Sequence, residues 1–379
     1  MTMSVDTVRA VQRQLALLGR EPAAPEIADA LRATGYIVSD ETVLAVQEGI
    51  ARESTGVGIL EPLLAVADVT DIVVNGPDRI FIDRGGGLEL TDVTFADDEA
   101  VRQLGVRLAA SVGRRLDDGS PFVDARLPNG VRFHAILAGI ADPGTCLSFR
   151  IPVKKHVDMA AWERSGAVDA QSGKILRRLI EKKIAFLISG GTGSGKTTLL
   201  GAMLSLVPAS ERIVIVEDSR ELEPQHPHTV RLESRPANAE GAGLVTMTDL
   251  VRQALRMRPD RLVVGEVRGG ELRDLLQALN TGHEGGCGTI HANSVADLPA
   301  RLEALGALGG LSAAATRSQV AAAVRVLIHV NRSGALRYVS EIGVVARGGD
   351  QLDTRSAWQV ANGRGRAGEG FSALMELLS

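Results

Sequence analysis

Apolar positions recur at helical spacing through the first fifty residues. Val8, Val11, Leu15 and Leu18 fall on one face of a helix. The runs EIADALRATG and SDETVLAVQEGIARE repeat the pattern, and Ser39, three residues ahead of Thr42 with Asp40 and Glu41 between, marks a helix start. Residues 1–55 read as a helical lead-in, which packing alone accounts for. From residue 56 the period shortens. TDIVVNG, RIFIDRG, LELTDVTF, RFHAILAG and TCLSFRIP are short strand-like runs, separated by Gly, Pro, Asn and Asp. One helix, Asp97 to Val112, sits among them, so residues 56–153 read as a small α+β domain. Residues 154–171 are polar and irregular, a linker leading into a helix. Residues 172–345 then alternate. KILRRLIEKK, DLVRQALRM and ELRDLLQALN are helical, while AFLIS, RIVIVED, RLVVGE and GTIHA are strands. That order predicts a doubly wound α/β fold with a parallel sheet. Residues 346–379 mix Gly, Arg and Asp and read as a C-terminal tail without a site signal.

Chemistry concentrates at the ends of these strands. Phe186, Leu187 and Ile188 are followed by G-x-x-x-x-G-K-T, Gly190 to Thr197, and then by the helical run TTLLGAML. This is the strand–loop–helix setting of a phosphate loop. Gly190, Gly191, Thr192, Gly193, Ser194, Gly195, Lys196, Thr197 and Thr198 form the expected nucleotide-binding set. Lys196 is placed to reach the β- and γ-phosphates, and Thr197 to hold Mg²⁺. A helix start adds a favourable dipole for anions.

The strand Ile213–Val216 ends in Glu217 and Asp218, with Glu221 close behind. Carboxylates there suit Mg²⁺ held through water, Glu217 first among them, although a solvated acidic turn would look the same. Leu262–Val264 leads to Glu266, the candidate for orienting the attacking water, with Glu217 or Glu221 next in line. The usual aspartate after that apolar run is missing; Gly265 stands in its place. His283 and His291 flank a glycine-rich turn, eight residues apart. No cysteine or acidic pattern completes a zinc site around them. Either they are structural or they sense nucleotide by hydrogen bonding near a γ-phosphate. Arg252, Arg256, Arg258 and Arg261 form a basic run, read as an interface or a solvated helix face rather than a nucleic-acid groove.

Composition narrows the classes. The chain has 379 residues, 45% hydrophobic, enough for two or three domains. A net charge of −4 and 3% aromatic residues make nucleic acid an unfavoured partner. Two distant cysteines, Cys146 and Cys287, exclude a disulfide framework and fit a reduced cytoplasm. Cys287 reads as a packing residue. Apolar runs are strand-sized and the N-terminus lacks a signal-peptide core, so membrane association is expected only through a partner.

SGGTGSGKTTLL, IVIVEDSREL, RMRPDRLVVGEVRGGE and TGHEGGCGTIHANS, in this order and spacing, resemble the secretion and pilus-assembly ATPases of type II and type IV systems. They match that family's Walker A motif, Asp box, atypical Walker B motif and His box. The likeness is greatest to the tight-adherence (Flp) pilus branch, the TadA/CpaF-like enzymes also associated with conjugal transfer. The four-cysteine zinc insertion of many general secretory members is absent. The resemblance covers residues 56–345. It implies a RecA-like P-loop domain, ATP with Mg²⁺, and a cytoplasmic homohexamer docked on an inner-membrane platform protein. Hydrolysis between the N-terminal and ATPase domains would drive pilin assembly. Arginines from outside the phosphate-loop domain would stabilise the γ-phosphate charge, with Arg126, Arg132 and Arg150 as candidates. Arg132 and Arg150 lie in strand-like runs, and Arg126 precedes the Pro128–Gly130 turn. Two other readings remain: a type IV secretion or conjugation ATPase moving protein or nucleoprotein, and a DNA translocase or nucleotide-dependent switch.

Overall fold

The computed structural model describes residues 24–33, 38–39, 42–43, 56–152, 157–237, 241–334, 336–348, 351–361 and 363–379. The chain forms two compact units, Met1–Lys154 and Lys155–Ser379.

In the first unit the helix expected around Val8–Leu18 lies outside the described residues. A helix does run from Ala24 to Ala33, and it buries Ile27, Ala30 and Leu31. The start expected at Ser39 is present: its hydroxyl accepts from Thr42 N at 3.2 Å, and its carbonyl from Val43 N at 2.9 Å. The strands are β1 (Asp71–Asn75), β2 (Ile80–Asp83), β3 (Leu88–Leu90), β4 (Phe122–Arg126), β5 (Arg132–Ile136) and β6 (Cys146–Arg150). They form an antiparallel sheet in the order β3-β2-β1-β6-β5-β4. Alternation turns Ile72, Val74, Phe133, Ala135, Leu147 and Phe149 inward, where they pack with Val101, Leu104 and Leu108 of the helix Asp98–Ser111. Asp97 caps that helix by accepting from Ala100 N at 2.8 Å. Arg126 precedes the Pro128–Gly130 turn, as the sequence indicates. It closes β4, paired with Arg132 across the hairpin.

The second unit is a nine-stranded sheet, β15-β14-β13-β12-β7-β11-β10-β8-β9. Its strands are β7 (Phe186–Ser189), β8 (Ile213–Glu217), β9 (Thr229–Glu233), β10 (Arg261–Val267), β11 (Cys287–Ile290), β12 (Val326–Ser333), β13 (Leu336–Gly348), β14 (Gln351–Ala361) and β15 (Arg364–Ala367). From β12 to β9 all neighbours are parallel; β13 to β15 add an antiparallel wing. The sheet is covered on both faces, which is why β7 and β8 are apolar without alternation. Phe186, Ile188, Ile213 and Ile215 pack with helices Ala170–Glu181 and Lys196–Leu204. Leu187, Val214, Val216 and Val264 pack with helices Met247–Ala254, Glu271–Asn280 and Leu298–Leu308 on the other side. The fold is the expected doubly wound α/β class.

Two boundaries move. Residues 154–171 are not simply a linker. A helix, Met159–Arg164, is capped by Asp158 and buries Met159 and Trp162 in the second unit's core. Residues 346–379 are not a loose tail either. They complete β13, form β14 and β15, and end in the helix Phe371–Leu378, with Leu374 and Leu378 buried. β14 buries only Leu352 and Ala357 among its described side chains and β15 is exposed throughout, so neither gives a continuous apolar run to read.

Candidate functional site

β7 ends at Ser189 and the glycine loop begins. Gly190, at φ +154°, has no room for a side chain: a Cβ would stand 2.3 Å from the Val330 carbonyl oxygen of β12. Gly195, at φ +97°, turns the chain into the helix Lys196–Leu204, whose unpaired N–H groups face the loop. Lys196 is buried, and its Nζ donates to the carbonyls of Gly190 and Gly191, both at 2.9 Å. Burial lowers its pKa; the nearby charges acting on it are those of Glu266, Arg268 and Glu221. Ser194 Oγ is buried without a hydrogen-bond partner. Arg337 of β13, absent from the sequence reading, donates through Nε to the Gly193 carbonyl at 2.9 Å and so braces the loop from outside. This cradle, with one buried ammonium and glycines at positive φ, fits a polyphosphate. Thr197 follows Lys196 in the first turn of the helix and is half-buried.

Because β7, β11, β10 and β8 are parallel, their carboxyl ends share one edge with the loop. Glu217 closes β8 and is 3% exposed. Its Oε1 accepts from Glu221 N and Leu222 N, both at 2.9 Å, which shapes the turn; Oε2 is buried without a partner. Burial pushes its carboxyl up to about 7, against the two backbone hydrogen bonds. Oε2 is the one polar atom of Glu217 left for a further partner, and among the described residues no cluster of His, Cys, Asp and Glu that could hold a metal ion exists.

Glu266 sits in β10 between the Arg268 guanidinium and the His291 ring. His291 Nε2 lies 2.7 Å from Oε1, a close contact without hydrogen-bond alignment, so Oε1 still lacks a donor. Arg268 binds Oε2 through one nitrogen and Asp218 Oδ2 through another at 2.6 Å. Burial works against the Glu266 charge, but Arg268, His291 and Lys196 outweigh it and lower the pKa. His291 is itself shifted down, by burial first and by Lys196 next.

Not every candidate gathers here. His291 follows Ile290, which pairs with Ser189 at the loop edge; His283 precedes Cys287, at the opposite end of β11. The structure therefore separates the two histidines and leaves His283 away from the phosphate loop. Cys287 is buried and its thiol is pushed up to about 12 by burial, as suits a packing residue. The basic run also disperses. Arg252 pairs with Asp274 at 2.8 Å, and Arg261, 1% exposed, binds Glu211 at 2.7 Å and the Ile180 carbonyl at 2.8 Å. In the first unit, Arg126, Arg132 and Arg150 lie side by side across β4, β5 and β6, and Arg150 Nε meets Asp71 at 3.0 Å.

A glycine cradle at a parallel-sheet switch, with acidic strand ends beside it, is the architecture of a P-loop nucleotide-binding protein. The chain belongs to the family described as Type II/IV secretion system protein, which it matches over residues 53–358. Rv3659c of Mycobacterium tuberculosis, provisionally named a conjugal transfer protein, is 51% identical over 334 residues, 86% of this chain and 95% of its own. The type IV secretion system protein PtlH of Bordetella pertussis is 33% identical over 258 residues, 62% of this chain and 76% of its own. The fold matches the pilus retraction motor PilT, solved with bound ADP, at a TM-score of 0.54 and 19% identity, covering 79% of this chain and 81% of PilT. No helix among the described residues is long and apolar enough to cross a membrane.

Proposed function

We propose that this chain is an Mg²⁺-dependent ATP hydrolase that works as a homohexamer and powers Flp-type pilus assembly or secretion. It would dock from the cytoplasm on an inner-membrane platform protein. The observation that carries the reading is the meeting of Lys196 and Glu266 at one sheet edge. Lys196 and the loop N–H groups bind the phosphates, and bound Mg²⁺ would supply further charge neutralisation from Thr197 and, through water, Glu217. Glu266 orients the attacking water through Oε1 and His291 faces the same oxygen. Arg132 and Arg150, with Arg126 beside them, stabilise charge on the transferring phosphoryl group. The provisional name of Rv3659c and the name of PtlH favour keeping conjugation or type IV secretion as the second reading, with the same chemistry.

The test is phosphate release from MgATP. Lys196→Ala should lower turnover by ~10²-fold or more, as loss of one electrostatic donor does. Glu266→Gln should keep nucleotide affinity and lose hydrolysis. Turnover in Lys196→Ala near that of the parent protein would remove the phosphate-loop assignment. Pilin export in a host lacking the gene separates the pilus reading from the conjugal one.

A further inference from the structure

We infer that Arg268 is the positioning residue of Glu266: its fork ties the end of β10 to the end of β8 and fixes the direction of the Glu266 carboxylate. The inference rests on Glu266 being the water-orienting group. Glu266, in β10, and Asp218, just past the end of the adjacent parallel strand β8, are two carboxylates that would repel and turn apart. Arg268 spans them, with Asp218 Oδ2 at 2.6 Å on one nitrogen and Glu266 Oε2 on the other. With Oε2 taken, only Oε1 is left for a water. The arginine's own backbone is fixed. Arg268 N and Gly269 N donate to Glu271 Oε1 at 2.6 and 2.7 Å, and Glu271 is buried at the head of the helix Glu271–Asn280. The Arg268 side chain is 54% exposed, so the bridge adds little to folding stability. Its value is directional, because a planar fork grips two oxygens at once and an ammonium does not. Its charge also acts on Lys196.

These two contributions separate in variants. Arg268→Lys keeps the charge and loses the fork, so kcat should fall about tenfold or more, since a misplacement near 1 Å can cost ~10²-fold. KM for MgATP should stay close to that of the parent. Arg268→Gln loses both, so KM rises as well. Asp218→Asn should reproduce part of the kcat loss and add nothing in combination with Arg268→Lys. Melting temperatures should barely move. A parental kcat in Arg268→Lys, or multiplicative losses in the double variant, would overturn the inference. Glu266→Gln separates the two levels. Turnover surviving in it overturns the water-orienting reading and this one together. Turnover lost in it but kept in Arg268→Lys overturns this one alone.

Discussion

Glu217 occupies the space that a side chain on Gly265 would need: a Cβ at 265 would stand 2.5 Å from Glu217 Cγ and 3.1 Å from its Oε1. The space beside Gly265, after the β10 apolar run, is therefore filled by an acidic side chain leaning in from β8. The two strands pair directly, with Val264 opposite Val216, so the exchange needs no change of fold.

Gly265→Ala should destabilise the protein by about 1–3 kcal/mol, the usual cost of overpacking a filled site. In a Glu217→Ala background the same change should cost much less. Urea denaturation of the four proteins in the cycle checks this, and additive losses would mean that the contact does not matter.

The Glu217 carboxyl, raised from 4.5 to about 7 by burial, gives a pH signature. An acid raised in the folded state holds its proton there while the unfolded chain releases it. Between about pH 4.5 and 7 stability therefore falls as pH rises, and the full penalty stands above 7. Glu217→Gln removes that slope. Its stability relative to the parent should grow between pH 5 and 8, by at most about 3 kcal/mol at ~1.4 kcal/mol per pKa unit. Equal slopes in the two proteins would place the titration elsewhere.

His291→Ala should lower kcat with a small change in melting temperature, because the ring is part-exposed and faces Glu266 Oε1. His283→Ala should act in the reverse sense and shift melting more than turnover, because its Nδ1 is buried at the far end of β11. Comparing kcat with melting temperature in both variants decides the matter. A turnover loss confined to His283→Ala would require its contribution to another copy's site.

Arg132→Ala and Arg150→Ala should each cut turnover by about tenfold or more with folding intact, as loss of a phosphoryl-stabilising arginine does. Specific activity of the parent should rise with protein concentration as hexamers form. Full activity in either variant would leave that arginine as a surface residue of its sheet.

Local chemistry was legible in the sequence and long-range chemistry was not. The phosphate loop declares itself because strand, glycines, Lys196 and helix are contiguous. The separation of the histidines was also readable, since GTIHA marks a strand with His283 before it and His291 at its far end. Arg268 gave no such signal. It looks like one more charge in GEVRGGE, and its second partner, Asp218, lies fifty residues away. Trp162 and Met159 were three apart behind an Asp158 cap, a helix signature too short to stand out against polar neighbours. The wing strands hide for another reason: β14 buries only Leu352 and Ala357 among its described side chains, five residues apart, and β15 is exposed throughout.

The phosphate-loop strand is an inner member of a sheet that continues through β12 into the antiparallel wing, and Arg337 of that wing grips the loop itself. For protein engineering this fixes where a splice is safe. A cassette cut at the motif limits, 172–345, would sever β13 and discard the Trp162 helix, β14 and β15. Chimaeras that exchange the ATPase between related secretion machines should join near Lys154, where the two units divide, and carry everything from there through the helix Phe371–Leu378 as one piece.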